Sequence, residues 1–317
     1  MSTRDARSSP SPKSRSTASR ISASRAVRWI PAASACSPAP EMPPIWRVER
    51  DVDDARALEV LARDRVWNGY PLADLDPPSR AHATYAIAAD STAPHGSRRE
   101  AANLLLFRTG AFTALWSGGP AAGVAAILAA LAATDDLPAT CSVHCRLAHR
   151  RAFSRHYALR LDLFHRMVVT PSALRPPQSV VHARQLGEPD FPAIDRLCAA
   201  GPGAWWCRDA ARIGYLWGID GAGEIVAVAG AHAIGTTAGI AAIGGVFTHP
   251  EARGRGHAAQ TTAAATRAVF ARGCDTAILN IRADNPTARR VYERLGYRDA
   301  CDYLEGPATL RPTISSA

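Results

Sequence analysis

The chain has 317 residues, enough for two domains of ordinary size, and its 47% hydrophobic content can fill packed cores. Of the formal charge of +9, residues 1–41 carry +5, with seven Arg or Lys against Asp5 and Glu41, which leaves +4 for everything else. So mildly basic a folded part argues against nucleic acid or an anionic surface as partner.

Residues 1–41 hold eleven serines and five prolines with almost no apolar periodicity, and are expected to stay disordered because they bury too little to offset the entropy of ordering. They are Arg/Ser-rich like an organelle transit peptide but lack the apolar core of a secretory signal. Ordinary sequence begins at Met42, which makes it a candidate translation start.

The first folded region, 42–170, opens with a strand over Ile45–Val48 and a helix from Asp53 to Arg65, marked by Leu58, Leu61 and Val66 on one face. Ala102–Phe107 and Ala111–Trp116 read as a hairpin across Thr109-Gly110, and an alanine-rich helix starts at Pro120. That helix contains the longest apolar stretch, Pro120–Ala133, which is too short for a membrane span and is closed by Asp135 and Asp136. His165–Thr170 closes the region as a strand, and Pro171–Gln178 has the proline density of a linker. The seven cysteines are scattered without a CxxC pair, which speaks against a disulfide framework and fits a reducing cytoplasm. Cys141, His144, Cys145 and His149 are all possible zinc ligands, but their spacing lacks two separated ligand pairs, and no metal is expected.

The second region, 179–308, repeats the order, and residues 309–317 are a short tail. Its predicted elements are a strand over Val180–Gln185, a helix over Pro189–Ala199 and strands over Tyr215–Ile219, Glu224–Ala233 and Ile240–Thr248. A helix from about Gly256 to Gly273 follows, then a strand over Thr276–Ile281, a helix over Pro286–Leu295 and a strand around Cys301–Tyr303. Trp205 and Trp206 could line an acceptor pocket or simply pack in the core. The fold class is α+β, a mixed sheet flanked by helices.

Between strand and helix lies HPEARGRGHA, with RxxGxA at Arg253, Gly256 and Ala258. Glycines let backbone N–H groups converge on an anion, and the helix N-terminus adds its dipole, so a pyrophosphate can sit there with Arg253 and Arg255 beside it. Further on, LNIRADNPTARRVYERLGY places Asn285 as N-cap, Pro286 as first helical residue and Gly296 as terminator, with Tyr292 on the inward face.

These two motifs, in this order, resemble the GNAT family of N-acetyltransferases over about 130 residues, the size of one domain. The resemblance implies acetyl-CoA as cosubstrate, held at the pyrophosphate by Arg253, Gly254, Arg255, Gly256, His257 and Ala258. It places Val246, Phe247 and Thr248 along the pantetheine arm, a backbone N–H near Phe247 or Thr248 on the thioester carbonyl, Asn285 in contact with the cofactor, and Tyr292 as the acid for the leaving thiolate. The reaction implied is acetyl transfer to a primary amine, small molecule or protein. IAAIGGVF lacks the glutamate that many members place on this strand, so His232 and, less favoured, His249 are the remaining candidate bases.

Ser117-Gly118-Gly119-Pro120 stands in the first half where RGRGHA stands in the second; it has no arginine, and Pro120 removes a donor. The first half is therefore expected to be a degenerate copy that does not bind acetyl-CoA productively and shapes the acceptor cleft instead. Gly254, Gly256 and Ala259 also spell a dinucleotide fingerprint, with Arg282 available for a 2′-phosphate, so an NADP-binding oxidoreductase is the rival, although only about 60 residues follow the loop. A non-catalytic CoA-binding regulatory module is a third reading. Oligomeric state and acceptor identity are not legible.

Overall fold

The computed structural model describes residues 44–92, 100–110, 112–177, 182–201 and 215–312. The basic opening segment, the predicted start of the strand at Val180, and Trp205 and Trp206 lie outside the described residues.

The first half runs β1 (Trp46–Arg50), α1 (Asp54–Leu61), α2 (Gly69–Ala73), β2 (Ala83–Asp90), β3 (Ala101–Arg108), β4 (Thr113–Gly118), α3 (Ala121–Ala132), β5 (Thr140–Cys145), α4 (Arg150–Ser154), β6 (Tyr157–Leu159) and β7 (Asp162–Val169). The second runs β8 (Arg184–Leu186), α5 (Phe191–Ala199), β9 (Leu216–Gly221), β10 (Glu224–Gly235), β11 (Ile240–Thr248), α6 (His257–Ala271), β12 (Thr276–Arg282), α7 (Pro286–Arg294) and β13 (Arg298–Leu310). Local chemistry sets several of these starts. Asp53 caps α1 by accepting the Arg56 N–H at 2.8 Å, and Asn285 caps α7 by accepting the Ala288 N–H at 3.1 Å, with Pro286 in the first turn.

All thirteen strands join one sheet, ordered β1-β2-β3-β4-β5-β13-β7-β12-β11-β10-β9-β8, with β6 pairing β13 off that path. The last strand of each half completes the other. β7 pairs with β12 of the second half, β13 pairs with β5 of the first, and β7 and β13 pair with each other at the centre. A boundary between residues 170 and 179 therefore divides the sequence but not the sheet, and residues 43–317 form one compact unit. Withdrawing β13 would leave β5 an open edge, and withdrawing β7 would leave β12 one, each with unpaired backbone groups.

Several elements differ from the sequence expectation, and α2, α4 and β6 are not among the predicted ones. β2 and β5 escape the strand pattern because ATYAIAAD is alanine-rich and TCSVHC is half polar. β13 reaches Leu310 rather than ending near Tyr303; Gly306, which reads as a breaker, instead lets the Arg160 carbonyl approach where a Cβ would sit only 2.2 Å from it.

The halves are also tied together by the segment after α1. An added Cβ at Gly69 would lie 2.3 Å from Ile278 Cδ1, and one at Gly235 would lie 2.6 Å from Ala73 Cα, so α2 rests flush on β10 and β12. Asp76 accepts the Thr236 hydroxyl at 2.9 Å and the Thr237 N–H at 3.0 Å, and Arg65 pairs with Asp275 at 2.6 Å. One hydrophobic cluster spans both halves, uniting Trp67, Leu72 and Trp116 with Ile240, Ile278 and Tyr303. No helix among the described residues is long and apolar enough to cross a membrane.

Candidate active site

The sheet is antiparallel except at β4–β5 and β11–β12. At β11–β12 the parallel ladder pairs Ile240–Ile243 with Thr276–Leu279 and then stops, although β11 continues to Thr248 and β12 to Arg282. The two strands thus part and leave a notch in the sheet. Bulges accompany the parting: β10 carries an extra residue at His232, between the Ala231 and Ala233 pairs, and β11 carries one between Gly244 and Phe247, where Gly245 has φ +60°. The His249 N–H bonds Val226 O across to β10, so the preceding Thr248 amide, pointing the opposite way, faces the notch. The Thr248 Oγ1 is buried there without a partner.

The turn after β11 has the backbone shape that an anion cradle requires. Gly254 has φ +76°, with open space where a Cβ would stand, and Gly256, φ +81°, is the N-cap of α6. Only glycine adopts these angles cheaply, and the first-turn N–H groups of a helix have no acceptor within it. The Arg253 Nε–H donates to Thr248 O at 3.3 Å, which lays its side chain along the mouth of the notch. Arg253, Gly254, Gly256, His257, Ala258, Val246, Phe247, Thr248 and Asn285 all line one cleft of about 1750 Å³. Arg255 is absent from the lining and exposed. Asn285 Oδ1 is already engaged as the α7 cap, which leaves its amide N–H₂ for a ligand.

Tyr292 and His232 face the same cleft. Tyr292 is buried, and desolvation holds its phenol well above the usual range, so it stays protonated at neutral pH and able to donate. His232 lies flat against β11 because position 244 is glycine: a Cβ there would be 2.1 Å from His232 Cε1. Burial lowers the His232 pKa to about 4, and its Nδ1 lies 3.4 Å from the Tyr70 hydroxyl. His249 instead accepts the Glu251 N–H through Nδ1 at 3.3 Å, a local turn contact.

The corresponding place in the first half is closed. The β4–β5 ladder pairs Ala114–Trp116 with Ser142–His144, and the strands end two residues later at Gly118 and one later at Cys145. His149 fills the turn, its Nδ1 2.9 Å from Ser117 Oγ and its Nε2 2.9 Å from Gly119 O. Gly119 is pressed against Ala101, whose carbonyl would be 2.4 Å from a Cβ. The four Cys and His residues of this region do not converge: Cys141 and Cys145 point into the core beneath α3, while His144, on the opposite face of β5, lines the cleft.

The first half nevertheless contributes a wall of the cleft. Tyr70 stacks on Trp116 at 4.9 Å between centroids, and Trp116 stacks on His144 at 4.4 Å. Behind them Arg166 is fully buried, its guanidinium 4.9 Å from the Trp67 ring centre and 4.8 Å from that of Trp116, with Nε–H donated to Asn280 Oδ1 at 3.0 Å. Two carboxylates join this wall. Glu305, on β13, accepts the Tyr303 hydroxyl at 2.5 Å and lies 3.3 Å from His144 Nδ1; burial alone would raise its pKa, but His144, Tyr303 and Arg166 bring it down to about 2. Asp74, at the C-cap of α2, is pushed by burial up to about 7, against a hydrogen bond from Ser79. Sequence reading missed both, since neither stands in a motif and each reaches the cleft only through the strand exchange or the docking of α2.

The mixed sheet also disposes of the dinucleotide fingerprint, which needs a parallel doubly wound sheet. Arg282, its supposed 2′-phosphate ligand, is engaged by Asp162 at 2.6 Å and Asp284 at 2.9 Å.

Residues 181–297 match the acetyltransferase (GNAT) family, so the chain carries a GNAT domain over that span. No curated protein matches the chain. Among solved structures, an acetyltransferase of the GNAT family from Novosphingobium aromaticivorans is similar at 20% identity, covering 77% of this chain and 97% of its own, with a TM-score of 0.52. A Drosophila protein at 14% identity covers 85% of this chain and 99% of its own, with a TM-score of 0.60. At these identities the likeness is one of fold.

Proposed function

With a GNAT domain at residues 181–297 as the premise, we propose that the protein transfers an acetyl group from acetyl-CoA to a primary amine by direct attack, and that the first half is a second, degenerate copy of the same fold. The observation that carries this reading is the parting of β11 and β12 directly ahead of the glycine turn that caps α6. Acetyl-CoA supplies the activated thioester. The buried, unpartnered Thr248 Oγ1 and the open cradle at Gly254 fit such a ligand.

In this reading Arg253 and the N–H groups of Gly254 to Ala258 hold the pyrophosphate, and the Thr248 amide donates to the carbonyl oxygen as negative charge develops there. His232, neutral at pH 7, accepts a hydrogen bond from the attacking amine. Asp74 is the final proton acceptor, since its pKa of about 7 matches the working pH; Ser79, Tyr70, Tyr85 and Arg80 are the polar and titratable groups around it. The new N–C bond forms, the C–S bond breaks, and Tyr292 donates its proton to the departing thiolate.

Thiol release from acetyl-CoA across pools of amines tests the proposal, with Arg253→Ala and Tyr292→Phe beside the parent. Release that depends on an amine and falls in both variants is expected. Acetyl-CoA binding without release for any amine would point to a non-catalytic CoA-binding module. The rate should rise through about pH 7, and Asp74→Asn should abolish that rise; a flat profile above about pH 4 would leave His232 as the only base.

A further inference from the structure

The cleft is electrically divided. At the end built by the second half it is lined by Arg253, Arg290 and Arg294, whereas the acids in its lining, Asp74 and Glu305, belong to the opposite wall. Acetyl-CoA is an anion and suits the first end, so the second end must suit something else.

Glu305 and Asp74 are not equivalent. Asp74 titrates near neutral pH and can take a proton during the reaction. Glu305 cannot, because His144, Tyr303 and Arg166 keep it ionised. Both of its near contacts, the Tyr303 hydroxyl and His144 Nδ1, are made to Oε2, which leaves Oε1 for a ligand. Arg166, a permanent cation, faces into the wall. It is wrapped by the rings of Trp67, Tyr70, Trp116 and Tyr303, and it bonds the Val66 and Trp67 carbonyls and Asn280. A carboxylate that stays negative through the whole reaction, with Oε1 turned from both contacts, suits a ligand group that stays positive. The reacting nitrogen does not qualify, since it must be neutral to attack and ends as an amide. The electron-rich Tyr70 and Trp116 rings in the same wall favour a cation for the same electrostatic reason.

We propose that the acceptor carries at least two amino groups: one reacts at the thioester while a second, still protonated, is held by Glu305 beside the Tyr70–Trp116–His144 stack. The ligand class is thus a diamine or polyamine rather than an amino acid, whose carboxylate Glu305 would repel. This rests on the acetyl-transfer reading above only for the fate of the first amine; the cation site is a binding claim of its own.

The test compares cadaverine with pentylamine and 5-aminovalerate, which share its five carbons and one amine but end in a methyl or a carboxylate where cadaverine ends in a second aminomethyl group. Two readouts are taken on the full chain: acetyl transfer, and equilibrium binding with CoA present, followed by tryptophan fluorescence. Cadaverine should be favoured over pentylamine by about tenfold or more in KM and Kd, as a charge-assisted hydrogen bond implies, with aminovalerate weaker still. Glu305→Gln should erase that preference and leave acetyl-CoA binding intact, and Glu305→Asp should restore part of it. Pentylamine or aminovalerate used as well as cadaverine, or a preference unchanged in Glu305→Gln, would overturn the cation site while leaving acetyl transfer standing. Glu305-dependent cadaverine binding without any transfer would do the reverse: it would support the cation site and sink the transfer reading.

Discussion

Each half of this chain carries a parallel strand pair joined through a helix, β4–β5 across α3 in one and β11–β12 across α6 in the other, and the two junctions are built in opposite ways. In the second half the ladder breaks early, glycines with positive φ turn the chain, and the first turn of α6 points its N–H groups at open space. In the first half the ladder runs nearly to the strand ends, Pro120 removes a donor, and His149 takes up the polar groups of the turn. The same scaffold thus leaves an open glycine turn ahead of the helix in one half and forms a structural joint in the other, where a side chain pairs its polar groups. The closed half is not idle, for its α2, β4 and β5 wall the far side of the cleft opened by the other.

The comparison is most severely tested at matched tyrosines. Tyr292→Phe is expected to lower kcat by about a hundredfold to ten-thousandfold with little change in acetyl-CoA affinity. Tyr157→Phe, which removes only a hydroxyl donated to Pro138 O at 3.1 Å, should leave kcat intact and cost about 1 kcal/mol of stability in urea denaturation. Next in size are the turns. Arg253→Ala should weaken acetyl-CoA binding by about tenfold in a calorimetric titration, as loss of one charge-assisted contact implies. His149→Ala should leave that affinity unchanged while lowering stability by about 1–3 kcal/mol, because Ser117 Oγ and Gly119 O are left buried without it. Acetyl-CoA affinity that falls in His149→Ala would mean the first half binds cofactor after all.

Acid titration gives a smaller and shared effect. His149 and His232 are both held below the ordinary histidine pKa of 6.5 by burial, His232 at about 4, so the unfolded chain takes up their protons first. Their contribution is fully present above about pH 6.5 and is lost as pH falls toward about 4, by up to about 3 kcal/mol for His232. Denaturation midpoints should drop across that window in the parent and drop less in His232→Asn. The smallest expected change is at the joint between halves. Asp76→Asn should cost about 1 kcal/mol, since it weakens a carboxylate accepting from Thr236 and Thr237, and should leave cofactor affinity alone.

Much of this was legible in the sequence because it is local. Asn285-Pro286 starts α7 and Gly254 with Gly256 shape the turn through backbone preferences that act over a few residues, and the period of apolar residues identifies α5 and α6 without reference to the rest of the fold. The proposed cofactor chemistry rests on those residues and their order. Which strand completes which half was not legible, because nothing in DLFHRMVV or RDACDYLEGPATL names a neighbour, and pairing is decided by long-range hydrogen bonds. The tertiary structure alone brought Asp74, from a short helix in the first half, and Glu305, from the chain's last strand, to the cleft that Arg253 and Tyr292 line from the other half. Their pKa values diverge only there, since burial and neighbouring charge, not sequence context, set the balance between a carboxylate that titrates and one that stays ionised.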